Sequence, residues 1–146
     1  MRDQTGQQKP LLTPDDSWTG YAVSRNGKQI TYSVWTDKGE DLYVWHLDTN
    51  ERHAIANKED VNESFPSVSP DGRSTYYTLA DFRGYPKVNT YIFRDQLGKK
   101  EELVTRDPDG RNLFSQVTTD GNLLHWMWID DNDPNNRALL AAPIES

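Results

Sequence analysis

The chain has 146 residues with 16 basic and 23 acidic side chains, a net charge of −7, and no cysteine. That balance excludes the cationic footprint of nucleic-acid binding, and the lack of thiols excludes both a disulfide framework and a thiolate metal site. Hydrophobic residues make up only 34%, but five Trp, seven Tyr and four Phe give large apolar area from few positions, so the composition is that of a folded, β-rich chain of single-domain size.

Taken in order, the polar start Met1-Arg2-Asp3-Gln4 reads as carrying no signal peptide, and no later stretch reaches the length of a membrane span. Arg2 to Thr13 then anticipates Arg94 to Thr105, six of twelve positions agreeing. A strand is predicted over Gly20 to Ser24, a turn at Asn26-Gly27, a second strand over Gln29 to Trp35, a third over Asp41 to Leu47 and a fourth over His53 to Ala56. The same course recurs from Phe65, through the Asp71-Gly72 turn, to the third strand at Asn89 to Phe93 and the outer strand at Glu102 to Thr105. It recurs again from Phe114, through Asp120-Gly121, with strands over Leu123 to Ile129 and Arg137 to Ala142. The turn glycines Gly27, Gly72 and Gly121 lie 45 and 49 residues apart. An Asx-Gly pair between β-prone runs predicts a type I′ hairpin with φ > 0 at both central residues.

Four short strands per unit and a period of 40 to 50 residues predict an all-β fold of β-propeller blades. The chain then starts with an outer strand, follows with three strands, and repeats this order three times. It reads as a single three-blade unit over residues 1–146, about half of a six-bladed ring. The repeats run over roughly 14–56, 57–105 and 106–146, with 2–13 supplying a closing outer strand. The apolar positions of each second strand fit radial blades. Ile30, Tyr32 and Val34 become Thr75, Tyr77 and Leu79, then Leu124, Trp126 and Trp128, while Leu123, Met127 and Ile129 add a second apolar face. An antiparallel sandwich of twelve strands is the competing fold, but a sandwich does not require internal repetition.

At Ser69-Pro70-Asp71-Gly72-Arg73 the chain resembles the TolB-type propeller repeats, whose blades carry a Ser-Pro-Asp-Gly hairpin. Ala80-Asp81-Phe82-Arg83-Gly84-Tyr85-Pro86 is similar to the loop that follows in that family, and Leu103-Val104-Thr105 and Leu11-Leu12-Thr13 to its outer-strand ending. The first repeat, Ser24-Arg25-Asn26-Gly27, lacks the Pro and Asp, and the third keeps only Asp120-Gly121. No counterpart of TolB's N-terminal α/β domain is present. The resemblance implies a non-catalytic scaffold in a periplasmic setting with a protein partner, a lipoprotein among the candidates. With no signal peptide read in the sequence, the cytoplasm stays open as the alternative to that setting. Relatives of these blades also form the gating propeller of prolyl oligopeptidase-like hydrolases, so a fragment of such an enzyme is an alternative, as is an assembly unit with no ligand.

Three blades do not close a ring, because a propeller takes four to eight. The two end faces and an unpaired strand edge then need a cover. A symmetric homodimer supplies one, with Leu11 and Leu12 of each chain completing the last sheet beside Leu139 and Leu140 of the other. A complementary half from a longer propeller supplies another.

In such blades the longer connections gather at one end, where binding residues usually lie. The predicted set is Pro14 to Thr19, Thr36 to Glu40, Asn57 to Ser64, Ala80 to Val88, Arg106 to Asn112 and Asp130 to Asn136. It holds thirteen of the 23 acidic and six of the 16 basic residues, which places the whole net charge there and suits a basic protein surface. The predicted partner-binding residues are Asp15, Asp16, Trp18, Asp37, Glu40, Asp60, Glu63, Asp81, Phe82 and Tyr85, with Trp18, Phe82 and Tyr85 as aromatic anchors. Packing of those rings over the loop bases, and simple solvation of the acids, are the plainer readings. Asp130, Asp131 and Asp133 form a cluster of oxygen ligands for calcium, although a Pro interrupts it and its spacing fits no twelve-residue calcium loop. An Asx-rich turn is the simpler reading. His46, His53 and His125 adjoin no nucleophile motif, and His125 reads as a packed strand residue. No cofactor and no catalytic residue is expected.

Overall fold

The computed structural model describes residues 6, 8, 10–84, 88–96, 102–104 and 110–144. Within them lie three antiparallel sheets, each built from strands consecutive in sequence. The first holds β1 (Trp18–Val23), β2 (Gln29–Thr36), β3 (Gly39–His46) and β4 (Glu51–Ala56). The second holds β5 (Val61–Val68), β6 (Ser74–Asp81), β7 (Asn89–Gln96) and β8 (Glu102–Leu103). The third holds only β9 (Gly110–Val117), β10 (Leu123–Asp130) and β11 (Arg137–Pro143), so β11 is its outer edge among the described residues. A short 3-10 turn, Pro14–Asp16, leads into the first sheet. Leu11 and Leu12 are half-buried and not in a strand.

The sheets stack face to face in chain order. Leu42 and Ala56 of the first meet Val61, Tyr77 and Leu79 of the second, and Tyr76 and Ile92 on the second sheet's other side meet Leu124 and Trp126 of the third. Burial on both faces explains why Ser74 to Leu79 in β6 are all buried despite alternating poorly in polarity. The outer faces are barer. Tyr21 and Val23 on β1 are 61% and 49% exposed, and Leu139 on β11 is 76% exposed.

All three β1–β2-type hairpins share one construction. The loop closes with Ser24, Ser69 or Thr118 donating its backbone N–H across to Gln29, Ser74 or Leu123, and the turn glycine bonds back to the same Ser or Thr carbonyl. That hydroxyl also donates to the Asx side chain: Ser24 to Asn26 at 2.8 Å, Ser69 to Asp71 at 2.6 Å, Thr118 to Asp120 at 2.7 Å. The Asx oxygen accepts in addition from the backbone N–H two residues on, in Lys28, Arg73 and Asn122. The expected type I′ turn is therefore corrected. Gly27, Gly72 and Gly121 have φ of 71°, 75° and 78°, but no Asx residue of these turns has positive φ. A four-residue loop needs the left-handed conformation only at its glycine, because the hydroxyl holds the Asx residue in place.

Asp71 and Asp120 are consequently held below the ordinary carboxylate value, first by the hydroxyl hydrogen bond and then by the backbone N–H. A lowered folded pKa contributes stability that is complete above the unfolded value near 3.8 and is lost as pH falls through the folded value. Asp71→Asn copies the arrangement that Asn26 already shows in the first sheet. The variant is expected to match the parent at neutral pH to within about 0.5 kcal/mol and to lose less stability on acidification to about pH 3. Urea unfolding at the two pH values measures both.

The strand starts differ from the sequence expectation. β5 begins at Val61 rather than Phe65 and β9 at Gly110 rather than Phe114, so segments expected as loops are paired. Bulges between Ser64 and Ser67, and opposite His125 and Met127, interrupt the alternation there. Phe65 and Phe114 take positive φ of 52° and 57°, and their rings stand 4.5 Å apart. The Thr36 to Glu40 connection, expected to be long, is a two-residue turn over Asp37 and Lys38. The predicted outer strand at Glu102 to Thr105 is formed over Glu102–Leu103, with Val104 N–H bonding Ile92.

Candidate partner-binding groove

At the end of the sheets opposite the hairpins, the β2–β3 turn of the first sheet meets the entry to β5 and the exit from β6. Gly39 allows this approach. Its φ is 130°, and a Cβ there would stand 2.8 Å from both Asn62 Oδ1 and the Val61 carbonyl. Asn62 Oδ1 accepts the Glu40 N–H at 3.1 Å, which ties the two sheets at their rim. Above that tie lies an open groove of about 350 Å³ lined by Lys38, Asp60, Asn62, Phe82 and Arg83.

The charges around the groove are mostly paired. Lys38 Nζ lies 2.6 Å from Glu59, and the pair raises the lysine and lowers the glutamate. Both groups are exposed, so the contact orients side chains more than it stabilises the fold. Arg83 donates twice to Asp81, through Nε at 2.9 Å and Nη2 at 2.7 Å, and this fork holds Asp81 below its ordinary value. Asp60 has φ of 63°, a value that aspartate tolerates, and its carboxylate takes no hydrogen bond or ion pair among the described residues. Phe82 is 39% exposed and donates its N–H to the Asp60 carbonyl at 3.4 Å. Asp41, beside the turn, is raised by partial burial and then by Asp37.

The predicted site residues divide accordingly. Asp60, Asp81 and Phe82 come together at the groove, and Asp37 sits on its rim beside Lys38. Glu40 lies in β3 and accepts from the Thr19 hydroxyl at 2.8 Å. Asp16 is occupied by the Thr13 N–H at 2.7 Å and by Arg52 at 3.8 Å, and Asp15 is exposed on the same short turn. Trp18 is in β1 rather than a loop, edge-on to Tyr21, on the bare face of the first sheet. Glu63 must be withdrawn as a contact residue. It lies within β5, fully buried, and accepts the Lys58 N–H at 3.2 Å. Tyr85 lies outside the described residues. Sequence reading missed Lys38, Asn62 and Arg83, whose signal was their position at the two ends of one inter-sheet contact.

The calcium candidates do not converge. Asp130 accepts from Asn132 and Asn136, Asp133 from Asn135, and Asp131 lies 3.8 Å from Arg111. No metal-sized group of three or more His, Asp or Glu side chains forms among the described residues. His46 and His53 stack across β3 and β4 with ring centroids 5.5 Å apart, and His125 is half-buried in β10.

A scan against protein-family models finds no match, and no curated protein matches by sequence. Solved structures do match. A protein assigned as TolB from Agrobacterium tumefaciens is 20% identical, with a TM-score of 0.67 over 87% of this chain and 45% of that one. The tricorn protease is 16% identical, with a TM-score of 0.71 over 96% of this chain and 15% of its own. Prolyl oligopeptidase B from Galerina marginata, solved with a 25mer macrocyclization substrate, is 16% identical, with a TM-score of 0.65 over 93% of this chain and 22% of its own. The chain thus spans less than half the length of each. At such identities the likeness is one of fold, and the three stacked sheets are successive blades of a partial β-propeller.

Proposed function

We propose that the chain is a non-catalytic propeller scaffold that binds a protein partner through its groove end, and that a second copy covers its two bare blade faces. The supporting observation is the pair of unfinished ends. Tyr21 and Val23 stand exposed on the first blade, Leu123 and Leu139 on the third, and β11 has no outer neighbour among the described residues. Leu11 and Leu12, which repeat the ending at Leu103 and Val104, offer the missing strand to the partner copy's Leu139 and Leu140 edge. The resemblance to TolB-type repeats supports a periplasmic setting and a lipoprotein as one candidate partner, and the acidic loops suit a basic protein.

Light scattering is expected to give twice the chain mass of 16.8 kDa. Leu139→Glu, at a position too exposed to unfold a monomer, is expected to halve that mass. A compact, non-associating particle of 16.8 kDa from the parent chain would overturn the assembly. A second reading takes the chain as part of the gating propeller of a prolyl oligopeptidase-like hydrolase, supported by the likeness over 93% of this chain to 22% of that enzyme. The bare faces would then meet further blades of one longer chain.

A further inference from the structure

We propose that the groove between the first two blades receives a lysine or arginine side chain of the partner, its cation placed against Phe82 and balanced by Asp60. This rests on the groove end being the binding face and adds the chemical class of what binds there.

The charge arrangement favours a cation. Both basic groups of the groove already have carboxylate partners, Lys38 with Glu59 and Arg83 with Asp81. Of the acids here, Asp60 and the rim residue Asp37 take no hydrogen bond or ion pair among the described residues, and of those two only Asp60 lines the groove itself. An incoming carboxylate would have to draw Arg83 off a two-point contact, while an incoming cation meets at Asp60 a carboxylate whose charge reaches Arg83 only at a distance and which no hydrogen bond or ion pair among the described residues occupies. The exposed Phe82 ring beside Asp60 adds a face on which a cation and its methylene stem can lie. Asn62 has its Oδ1 committed to Glu40 N–H, so it does not compete for the ligand's charge. A volume of about 350 Å³ suits one long side chain with its adjoining backbone. The net charge of −7 brings basic partners toward the chain at a rate that salt would suppress.

The test is a titration of the isotopically labelled full chain at low salt with four blocked tripeptides, glycine flanking arginine, lysine, glutamate or leucine, read at the backbone amides of Asp60 and Phe82. The arginine and lysine peptides are expected to shift these amides saturably, and the other two not. Asp60→Asn, which tolerates the same backbone conformation, is expected to weaken the basic peptides about fivefold, the scale of one exposed ion pair. Phe82→Ala is expected to weaken them by a similar factor. Asp133→Asn, a charge loss in a different loop, is expected to leave them unchanged. If the glutamate or leucine peptide shifts the groove instead, the ligand class is wrong while the binding face stands. If no peptide moves these amides, both fall. If Asp133→Asn weakens the basic peptides as much as Asp60→Asn does, the attraction is diffuse and the seat at Asp60 is overturned.

Discussion

Asn112→Ala is expected to destabilise the protein by about 2 to 6 kcal/mol, since it orphans two buried groups at about 1 to 3 kcal/mol each. Asn112 is fully buried in β9. Its Oδ1 accepts the Trp126 Nε1–H at 3.0 Å, and its Nδ2 donates to the Thr90 carbonyl of the neighbouring blade at 3.1 Å. Its backbone N–H donates to Thr90 Oγ1 at 2.7 Å, and alanine keeps that bond. The loss therefore falls on the indole and on one carbonyl, neither of which water reaches easily. A double-mutant cycle with Trp126→Phe separates the pairwise part from the cavity. In the phenylalanine background the indole donor is already absent, so Asn112→Ala is expected to cost measurably less. Equal costs in the two backgrounds would show that the carboxamide fills space rather than joining the blades.

Leu42→Ala is expected to cost about 2 to 5 kcal/mol as well, by leaving a cavity that a rigid sheet cannot close. The side chain is fully buried and packs with Ala56, Val61, Tyr77 and Leu79 where the first blade meets the second. In a stack where each unit touches only its neighbours, such a loss stays largely at one junction. Hydrogen exchange should therefore accelerate through β1 to β4 and at the β6 face that meets them well before it does in β9 to β11. Uniform acceleration through all three blades would instead mean that the stack unfolds as one cooperative unit.

The repeat was legible because its turns are chemical. A hydroxyl, an Asx residue and a glycine recur at fixed offsets, and the structure builds the same closed loop from them three times. The strands that precede those turns were legible only in part. Glu63 and Asn112 look like loop residues, yet both lie in the middle of paired strands, because a buried polar group with partners inside the protein carries no mark in the sequence. The bulges at Phe65 and Phe114 compounded this by breaking the two-residue period on which strand recognition depends. At the groove, Asp60, Asp81 and Phe82 were found from loop position and residue type. Glu63 was misplaced for the reason just given, and Lys38 was missed because its turn belongs to the neighbouring blade. The pairing of Arg83 with Asp81 is local, two residues apart in one loop, but that of Lys38 with Glu59 joins segments 21 residues apart, and one-dimensional spacing does not reveal it.

Glu63 and Asn112 stand 49 residues apart at matching points of their repeats, and Trp18 occupies the same point in the first. Asn112 joins two blades through its carboxamide and Glu63 is a buried carboxylate that accepts from the segment leading into its own strand, while the third member of the set is an indole turned to the open side. Wedges that look alike in outline are therefore not exchangeable. A carboxylate in place of the Asn112 carboxamide would set a charged oxygen against the Thr90 carbonyl, so the order of the second and third blades is written in part into that one residue.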